Sequence, residues 1–248
     1  MPESSNPVFS RKGMFESVRT PSAAELEAMV RTERPMTVAA VVDHTAVMLA
    51  VLVATAAGAW TLDVGAGLAV GSAVAGLVLA LVIIFKRITN PVPILAYAAI
   101  EGVFLGAISR VMDEAYPGIA VQAVIGTGLC FGAVLWAYRT GRLQATPRFR
   151  KVIMGALVAV LGLIIANLLV SLFGGSLGIR DGGPLAIIFS LVVITVASLS
   201  FVLDFDEIER AAAEGAPERF AWLAAFGLVV GLVWLYIEIL RFLSYLRD

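Results

Sequence analysis

Long apolar segments follow one another along most of the chain and are separated by short polar connections. Each is close to the roughly 20 residues that a helix needs to cross a hydrocarbon layer about 30 Å thick. None alternates like a half-buried strand, and backbone groups in lipid must be hydrogen-bonded within the structure. The sequence therefore predicts an all-α membrane protein, a bundle of seven transmembrane helices. The predicted spans are residues 38–60, 66–85, 93–112, 118–137, 152–173, 185–203 and 220–246.

Composition supports a membrane protein. Of the 248 residues 60% are hydrophobic and 15% are charged, whereas a soluble domain carries about 25% charged residues. The mean hydropathy is +0.93. The expected partner is the lipid bilayer. The formal net charge is −1 and basic residues occur only in short connections, so nucleic acid is not an expected partner.

The first 36 residues differ from the rest of the chain. They are polar and contain no apolar core of signal-peptide length, so we expect them to remain on the mature protein. The sequence predicts two parts, a largely disordered cytoplasmic tail over 1–36 and a transmembrane domain over 37–248. Within the tail, Ser22 and Glu25 have the spacing of a capping box and predict one short helix.

The positions of Lys and Arg predict the orientation in the membrane. Of the 18 basic residues, 14 fall in the tail or in the second, fourth and sixth connections. The positive-inside rule then places the N-terminus in the cytoplasm and the C-terminus outside the cell membrane. A topology of six spans with a re-entrant last segment stays open, because it would return Arg241 and Arg247 to the cytoplasmic side.

The sequence offers little material for catalysis. It contains no phosphate-binding glycine loop, HExxH, GxSxG or CxxC motif, so we expect neither an enzyme nor a cofactor. The single histidine, His44, fits an interfacial polar residue, with pH sensing as the alternative. The single cysteine, Cys130, lies in an apolar span and is expected to be a buried, inert thiol.

Acidic residues inside apolar spans are the functional candidates, because a lipid-facing carboxylate costs several kcal/mol. Glu101 interrupts the third span and Glu238 the seventh, and both are predicted to face the bundle interior or water. Glu238 has Arg241 three positions further on, at a spacing that a helix can pair.

A second acidic group follows the sixth span. Asp204, Asp206 and Glu207 are close together there, and Glu207 has Arg210 three positions further on. For Asp206 and Glu207 the pattern favours a solvated helix end.

Small residues recur at spacings of four within several spans, as with Gly102 and Gly106, or Gly227 and Gly231. This spacing puts them on one helix face and lets neighbouring backbones approach closely. The pattern favours packing within the bundle over self-association.

Three short motifs resemble those of the Bax inhibitor-1 family, the transmembrane BAX inhibitor motif proteins, here of a bacterial type. They are Leu203-Asp204-Phe205 with Ile208, Leu235-Tyr-Ile-Glu-Ile-Leu, and Glu101-Gly102 with Leu105. The resemblance covers residues 37–248. It implies a seven-helix fold with the last helix at the centre, and a pH-sensitive calcium leak channel controlled by two acids.

Carried over by motif, the two acids are Asp204 and Glu238, and the basic latch is Lys86 or Arg87 at the end of the second span. Two carboxylates that share a proton titrate as a coupled unit, and carboxylate oxygens are ligands that calcium prefers. The alternative is a non-conducting scaffold that regulates a protease or another membrane protein through the tail and the basic fourth connection.

The chain departs from the family pattern in two ways. The final acid is Glu rather than the usual Asp, and 34 positions separate the two acids, more than the family spacing. A turn at Ala216 would leave the two carboxylates about 15 Å apart in depth. A direct pair then needs a broken, tilted or protruding seventh helix, or a turn nearer the middle of the interval.

Overall fold

The computed structural model describes residues 34–247, apart from the side chain of Ala66. Within this range seven helices are long and apolar enough to cross a membrane, which confirms the predicted fold class. The short helix predicted at Ser22 and nearly all of the predicted tail lie outside the described residues. The helices are α1 Val38–Thr61, α2 Ala66–Lys86, α3 Pro91–Ala115, α4 Ile119–Arg139, α5 Pro147–Leu172, α6 Gly183–Ala213 and α7 Phe220–Tyr245.

Successive helices run in opposite directions, so the bundle has two ends. At the end where α1 begins, here the near end, Pro35 forms a β-bridge with Pro217 of the α6–α7 connection. At the opposite end, here the far end, Arg247 donates a hydrogen bond to the carbonyl oxygen of Pro117, at 3.0 Å, in the α3–α4 connection. Helix α7 thus runs the full length of the bundle.

The last helix is also the central one, as the resemblance implied. It packs against α1, α3, α4 and α6. Of an apolar 18-residue stretch of this helix, 56% is buried. Among the seven described helices the outermost are α2, which packs on α3 alone, and α5, which packs on α6 alone. Because α7 is one unbroken helix of 26 residues, the structure favours seven full spans over a re-entrant last segment.

Local sequence explains where several helices begin and end. The N-cap side chains of Thr37, Asn90 and Thr146 accept hydrogen bonds from backbone N–H groups of the first turns of α1, α3 and α5. Proline follows at the start of α3 and α5, where its missing N–H leaves no bond unmade. Helix α2 ends where Arg87 adopts a left-handed conformation with φ of 48°.

Glycine brings α1 and α3 close together. A Cβ at Gly102 would collide with the hydroxyl of Thr55 and the carbonyl oxygen of Leu52, and one at Gly106 would collide with the carbonyl oxygen of Ala56. These glycines therefore act in packing, as their spacing predicted.

Helix α6 is longer than its apolar run. The predicted span ends at residue 203, but the helix continues to Ala213. Phe205 and Ile208 are buried while Glu207 and Glu209 are exposed, so this extension is amphipathic. Its polar face carries an ion pair between Asp206 and Arg210, one turn apart. Hydropathy alone could not predict the part of α6 that extends beyond the apolar layer.

Candidate functional site

Glu238 lies in a buried ionic cluster on the far half of α7. Its side chain is 2% exposed, and its Oε1 atom is 2.7 Å from Nη2 of Arg180 and 3.0 Å from Nη1 of Arg241. The pair with Arg241 is one turn along the helix, as predicted. Arg180 comes from a different element, the α5–α6 connection, 58 positions away. The cluster therefore joins the central helix to a far-end loop.

The loop that delivers Arg180 is fixed to α7 at a second point. The hydroxyl of Tyr245 donates a hydrogen bond of 2.9 Å to the carbonyl oxygen of Arg180. The loop also closes on itself through a hydrogen bond from Ser176 to the Asp181 carboxylate. Tyr245 and Arg180 thus hold the α5–α6 connection across the end of the central helix.

Two atoms of the cluster are buried without a hydrogen-bond partner in the part of the chain that the structure describes. They are Oε2 of Glu238 and Nε of Arg180. Both hydrogen bonds to Glu238 fall on Oε1, so half of the carboxylate's acceptor capacity is unused. Two guanidinium groups face one carboxylate here, and protonation of Glu238 would leave both without their anionic partner.

Asp204 has a different environment. It is half-buried on α6 and, among residues 34–247, has neither a hydrogen bond nor an ion pair. Asp206, two positions further on, is 2.9 Å from both Arg150 of α5 and Arg210. Asp204 is therefore the member of this acidic group that is half-buried without a compensating charge among the described residues, whereas Glu207 is exposed.

The structure does not bring Asp204 and Glu238 together. Asp204 lies nine residues before the end of α6, and Glu238 lies eighteen residues after the start of α7. At 1.5 Å per residue this is a difference in depth of about 14 Å. The contact of Glu238 with Arg180, which precedes α6, places Glu238 toward the opposite end of α6 from Asp204. Helix α7 is neither broken nor displaced enough to join the acids.

The basic residues at the end of α2 do not reach either acid. Lys86 and Arg87 are exposed, and within the described range neither takes part in an ion pair. Arg87 instead forms the left-handed cap of α2. Glu238 is instead paired with Arg180 and Arg241, at the opposite end of the bundle.

The acidic stretch at the near end is more ordered than a solvated helix end. Asp206 lies between Arg150 and Arg210, and Tyr138 donates a 2.7 Å hydrogen bond to Glu209. The predicted pair of Glu207 with Arg210 was wrong, because Arg210 bonds Asp206, four positions before it. Exposed Glu207 alone fits the predicted solvated helix end.

A recess of about 820 Å³ opens beside this ionic group at the near end. It lies between the start of α1, the α4–α5 connection and the extension of α6. Its lining includes Val38, Tyr138, Arg139, Asp206 and Glu209, so charges of both signs surround an open space.

Glu101 is buried in the interior, as predicted, and is 8% exposed. It lies near the middle of α3 against Gly76 of α2: a Cβ at Gly76 would lie 2.5 Å from its Oε2 atom. No hydrogen bond or ion pair of its carboxylate occurs within residues 34–247.

His44 and Cys130 lie apart from these acids. The His44 ring stacks on Trp222 of α7 with centroids 3.9 Å apart, and its Nδ1 atom is buried without a partner among the described residues. Its contact is therefore with the central helix, near the start of α1. Cys130 is a free, half-buried thiol packed against the core.

The role of Arg180 was not predicted from the sequence, in which it was considered only as one of the 18 basic residues. Two signals were available in the sequence: basic residues are rare in the far-end connections, and Glu238 lies in the half of its span that points to the same end as the connection carrying Arg180. No sequence pattern indicated that the loop closes over α7.

Together, the fold and the ionic cluster define an integral membrane protein of seven helices whose central helix carries a buried carboxylate. Residues 6–248, nearly the whole chain, match a family model described as Bax inhibitor 1 like. The chain belongs to this family. A search of the curated proteins found no match.

Proposed function

We propose that this protein is a pH-regulated calcium leak channel in the cell membrane. The observation that carries the proposal is the ionic cluster at Glu238, in which the central helix is held by a loop through one buried carboxylate. Membership of the Bax inhibitor 1 like family supports it, because the resemblance implies a leak of this kind.

In the proposed mechanism, Glu238 rather than an acid pair is the switch. When Glu238 is ionised, Arg180 is bound and the α5–α6 connection lies across the far end of α7. A proton on Glu238 removes the charge that attracts both guanidinium groups. The buried arginines are then unpaired charges, and contact with water or with another anion becomes more favourable for them. Arg180 leaves with its loop, which opens the far end of the bundle. Calcium is the cargo in this mechanism and has no resident site.

Asp204 has a separate part in this proposal. It lies about 14 Å nearer the near end, half-buried and without an ion pair in the described part of the chain. An uncompensated carboxylate attracts cations, and its oxygen ligands suit calcium. Asp204 would therefore attract calcium at the near end of the path.

The test is calcium flux into liposomes that contain the purified full-length chain, measured with a trapped indicator over a range of pH. We expect flux that rises on acidification. Glu238→Gln should remove most of the pH dependence, because glutamine cannot change its charge, and Asp204→Asn should lower the flux. Glu114→Gln, which removes an exposed far-end carboxylate paired with Arg110, is the matched control and should behave like wild type.

Absence of flux at every pH would contradict the channel. Flux with an unchanged pH profile in Glu238→Gln would contradict the switch while leaving the channel in place.

The near-end recess supports a second candidate, a scaffold that regulates a protease or another membrane protein. The recess adjoins the basic α4–α5 connection and the start of α1, the region predicted as a docking surface. In this case the purified protein would show no calcium leak, and charge reversal of Arg139 on the recess wall would abolish co-purification of the membrane protein partner.

A further inference from the structure

Glu101 lies in the contact between α2 and α3. It is the eleventh residue of α3, and Gly76 is the eleventh residue of the 21-residue helix α2. Each lies about 15 Å from the start of its helix, which is the middle of a hydrocarbon layer about 30 Å thick. The carboxylate rests on the bare backbone of Gly76, beside the side chain of Ile100.

This contact matters for α2 because, of the other six described helices, α2 packs on α3 alone. Within the described residues no hydrogen bond or ion pair joins α2 to another helix, and the hydroxyl of Ser72 bonds the carbonyl oxygen of Ala69 in its own helix. Docking of α2 therefore depends on close packing around Glu101, Ala80 and Ile83, the last two being buried hydrophobic residues of α2.

No charged group of the described chain compensates Glu101. Tyr97, one turn before it on α3, is a buried phenol in an edge-to-face contact with Phe226. The other titratable side chains of α3 and of the helices around it lie toward the two ends or are uncharged at mid-depth. They are Lys86 on α2, Asp43 and His44 on α1, Arg110, Asp113 and Glu114 on α3, Cys130, Tyr138 and Arg139 on α4, and Tyr236, Glu238, Arg241 and Tyr245 on α7.

An ionised carboxylate at this depth in the hydrocarbon layer is costly, because the described part of the chain offers it no counter-charge. A neutral carboxylic acid fits the space and packs against Gly76. Ionisation would draw water to the group, and among the described helices α2 is the peripheral one in contact with it. We propose that Glu101 is a proton-binding site in the middle of the membrane, and that its neutral form holds α2 on α3.

The protonation state is open to a chemical test with dicyclohexylcarbodiimide, an apolar reagent that enters lipid. The acid proton moves to a carbodiimide nitrogen while a carboxyl oxygen bonds the central carbon. The acyl group then migrates from that oxygen to nitrogen: the bond between the carboxyl carbon and the oxygen breaks and an acyl C–N bond forms. The oxygen stays on the central carbon as the urea carbonyl, which leaves a stable N-acylurea with no group lost. Because the reaction consumes the acid proton, an ionised carboxylate reacts poorly.

The full-length protein in phosphatidylcholine–phosphatidylglycerol liposomes is treated with this reagent at several pH values, and the adducts are located by mass spectrometry of peptides. At neutral pH we expect the adduct at Glu101 and little at Glu238, whose carboxylate is paired with two arginines. As the pH is raised further, labelling of Glu101 should fall about tenfold for each pH unit once that group titrates. Equal labelling of both residues at neutral pH, or none at Glu101 at any pH, would overturn the proposal.

Docking of α2 is tested by hydrogen–deuterium exchange in the same liposomes. At a pH where labelling has fallen, amides of α2 should exchange faster in wild type than in Glu101→Gln, which stays neutral. Gly76→Ala should speed this exchange at every pH, since its Cβ displaces the carboxyl group. Gly71→Ala is the matched control, because a Cβ there has open space. Equal α2 exchange in wild type and Glu101→Gln at every pH would show that the proton does not hold the helix. Neither measurement depends on calcium flux.

Discussion

At the scale of single residues, the same residue type has different roles according to its neighbours. Glu238, Glu101 and Asp204 are all acids in or next to apolar sequence. Glu238 is compensated by two arginines, Glu101 lies against the backbone of Gly76, and Asp204 is half-buried; among the described residues neither Glu101 nor Asp204 has an ion pair. Burial of a charge is costly unless it is paired. The three environments therefore distinguish a compensated carboxylate, Glu238, from two uncompensated ones.

The first prediction concerns the ionic cluster at Glu238. Arg180→Gln should lower the free energy of unfolding by about 3 kcal/mol, the low end for breaking a buried pair, because Arg241 still compensates Glu238. The measurement is unfolding by denaturant in detergent micelles.

Arg210→Gln is the matched control. It also removes an arginine from a carboxylate, but the Arg210 side chain is 53% exposed and that of Arg180 is 18% exposed. Its effect should stay within about 1 kcal/mol, as for surface pairs. Equal losses in the two variants would show that burial of the Glu238 cluster does not govern its contribution.

At the scale of helices, packing decides which elements are held firmly. Helix α1 meets α3 along Gly102 and Gly106, where only glycine permits the approach of the two backbones. Within residues 34–247, helices α2 and α5 each pack on one other helix. The peripheral helices are therefore the ones that a change at a single contact could release.

The second prediction tests the α1–α3 contact. Gly102→Ala should destabilise the bundle by about 1–3 kcal/mol, the usual effect of overpacking, because its Cβ would meet Thr55 and the backbone of Leu52. Unfolding by denaturant reports the change, with circular dichroism to confirm that the variant is folded.

Gly128→Ala on α4 controls for helix propensity, since a Cβ there has no atom within 4 Å. It should be neutral or stabilising by up to about 1 kcal/mol, because alanine favours helix over glycine. A loss as large as that of Gly102→Ala would contradict the packing argument.

At the scale of the whole molecule, charge distribution predicts how the bundle sits in the membrane. The near-end connections and the tail carry 14 of the 18 basic residues, so we expect the near end in the cytoplasm. The proposed switch at Glu238 would then respond to pH on the outer side.

The third prediction tests this orientation by cysteine labelling in intact cells. In a Cys130→Ala background, a membrane-impermeant maleimide should label Glu114→Cys at the far end. Lys86→Cys at the near end should react only after the cells are made permeable. The two native side chains are both exposed, so accessibility within the bundle does not bias the comparison. The reverse labelling pattern would show that the far end, not the near end, lies in the cytoplasm.

Local properties of the sequence were enough to predict much of the fold. Hydropathy located all seven spans, and the glycines at 102 and 106 were recognised as packing residues. Counting residues around Ala216 also predicted the difference in depth between Asp204 and Glu238. These predictions succeed because helix formation, turn position and rise per residue depend on neighbouring residues.

Only the tertiary structure decided which groups meet. It placed Arg180, 58 positions from Glu238 in sequence, over the end of α7, and left Lys86 and Arg87 elsewhere. It also set Glu101 of α3 against Gly76 of α2. Such contacts depend on how loops close and which helices become neighbours, and in lipid that choice rests on close packing and buried polar contacts between distant segments. The sequence by itself determined where the acids lie along the chain, and the packing determined what each acid can do.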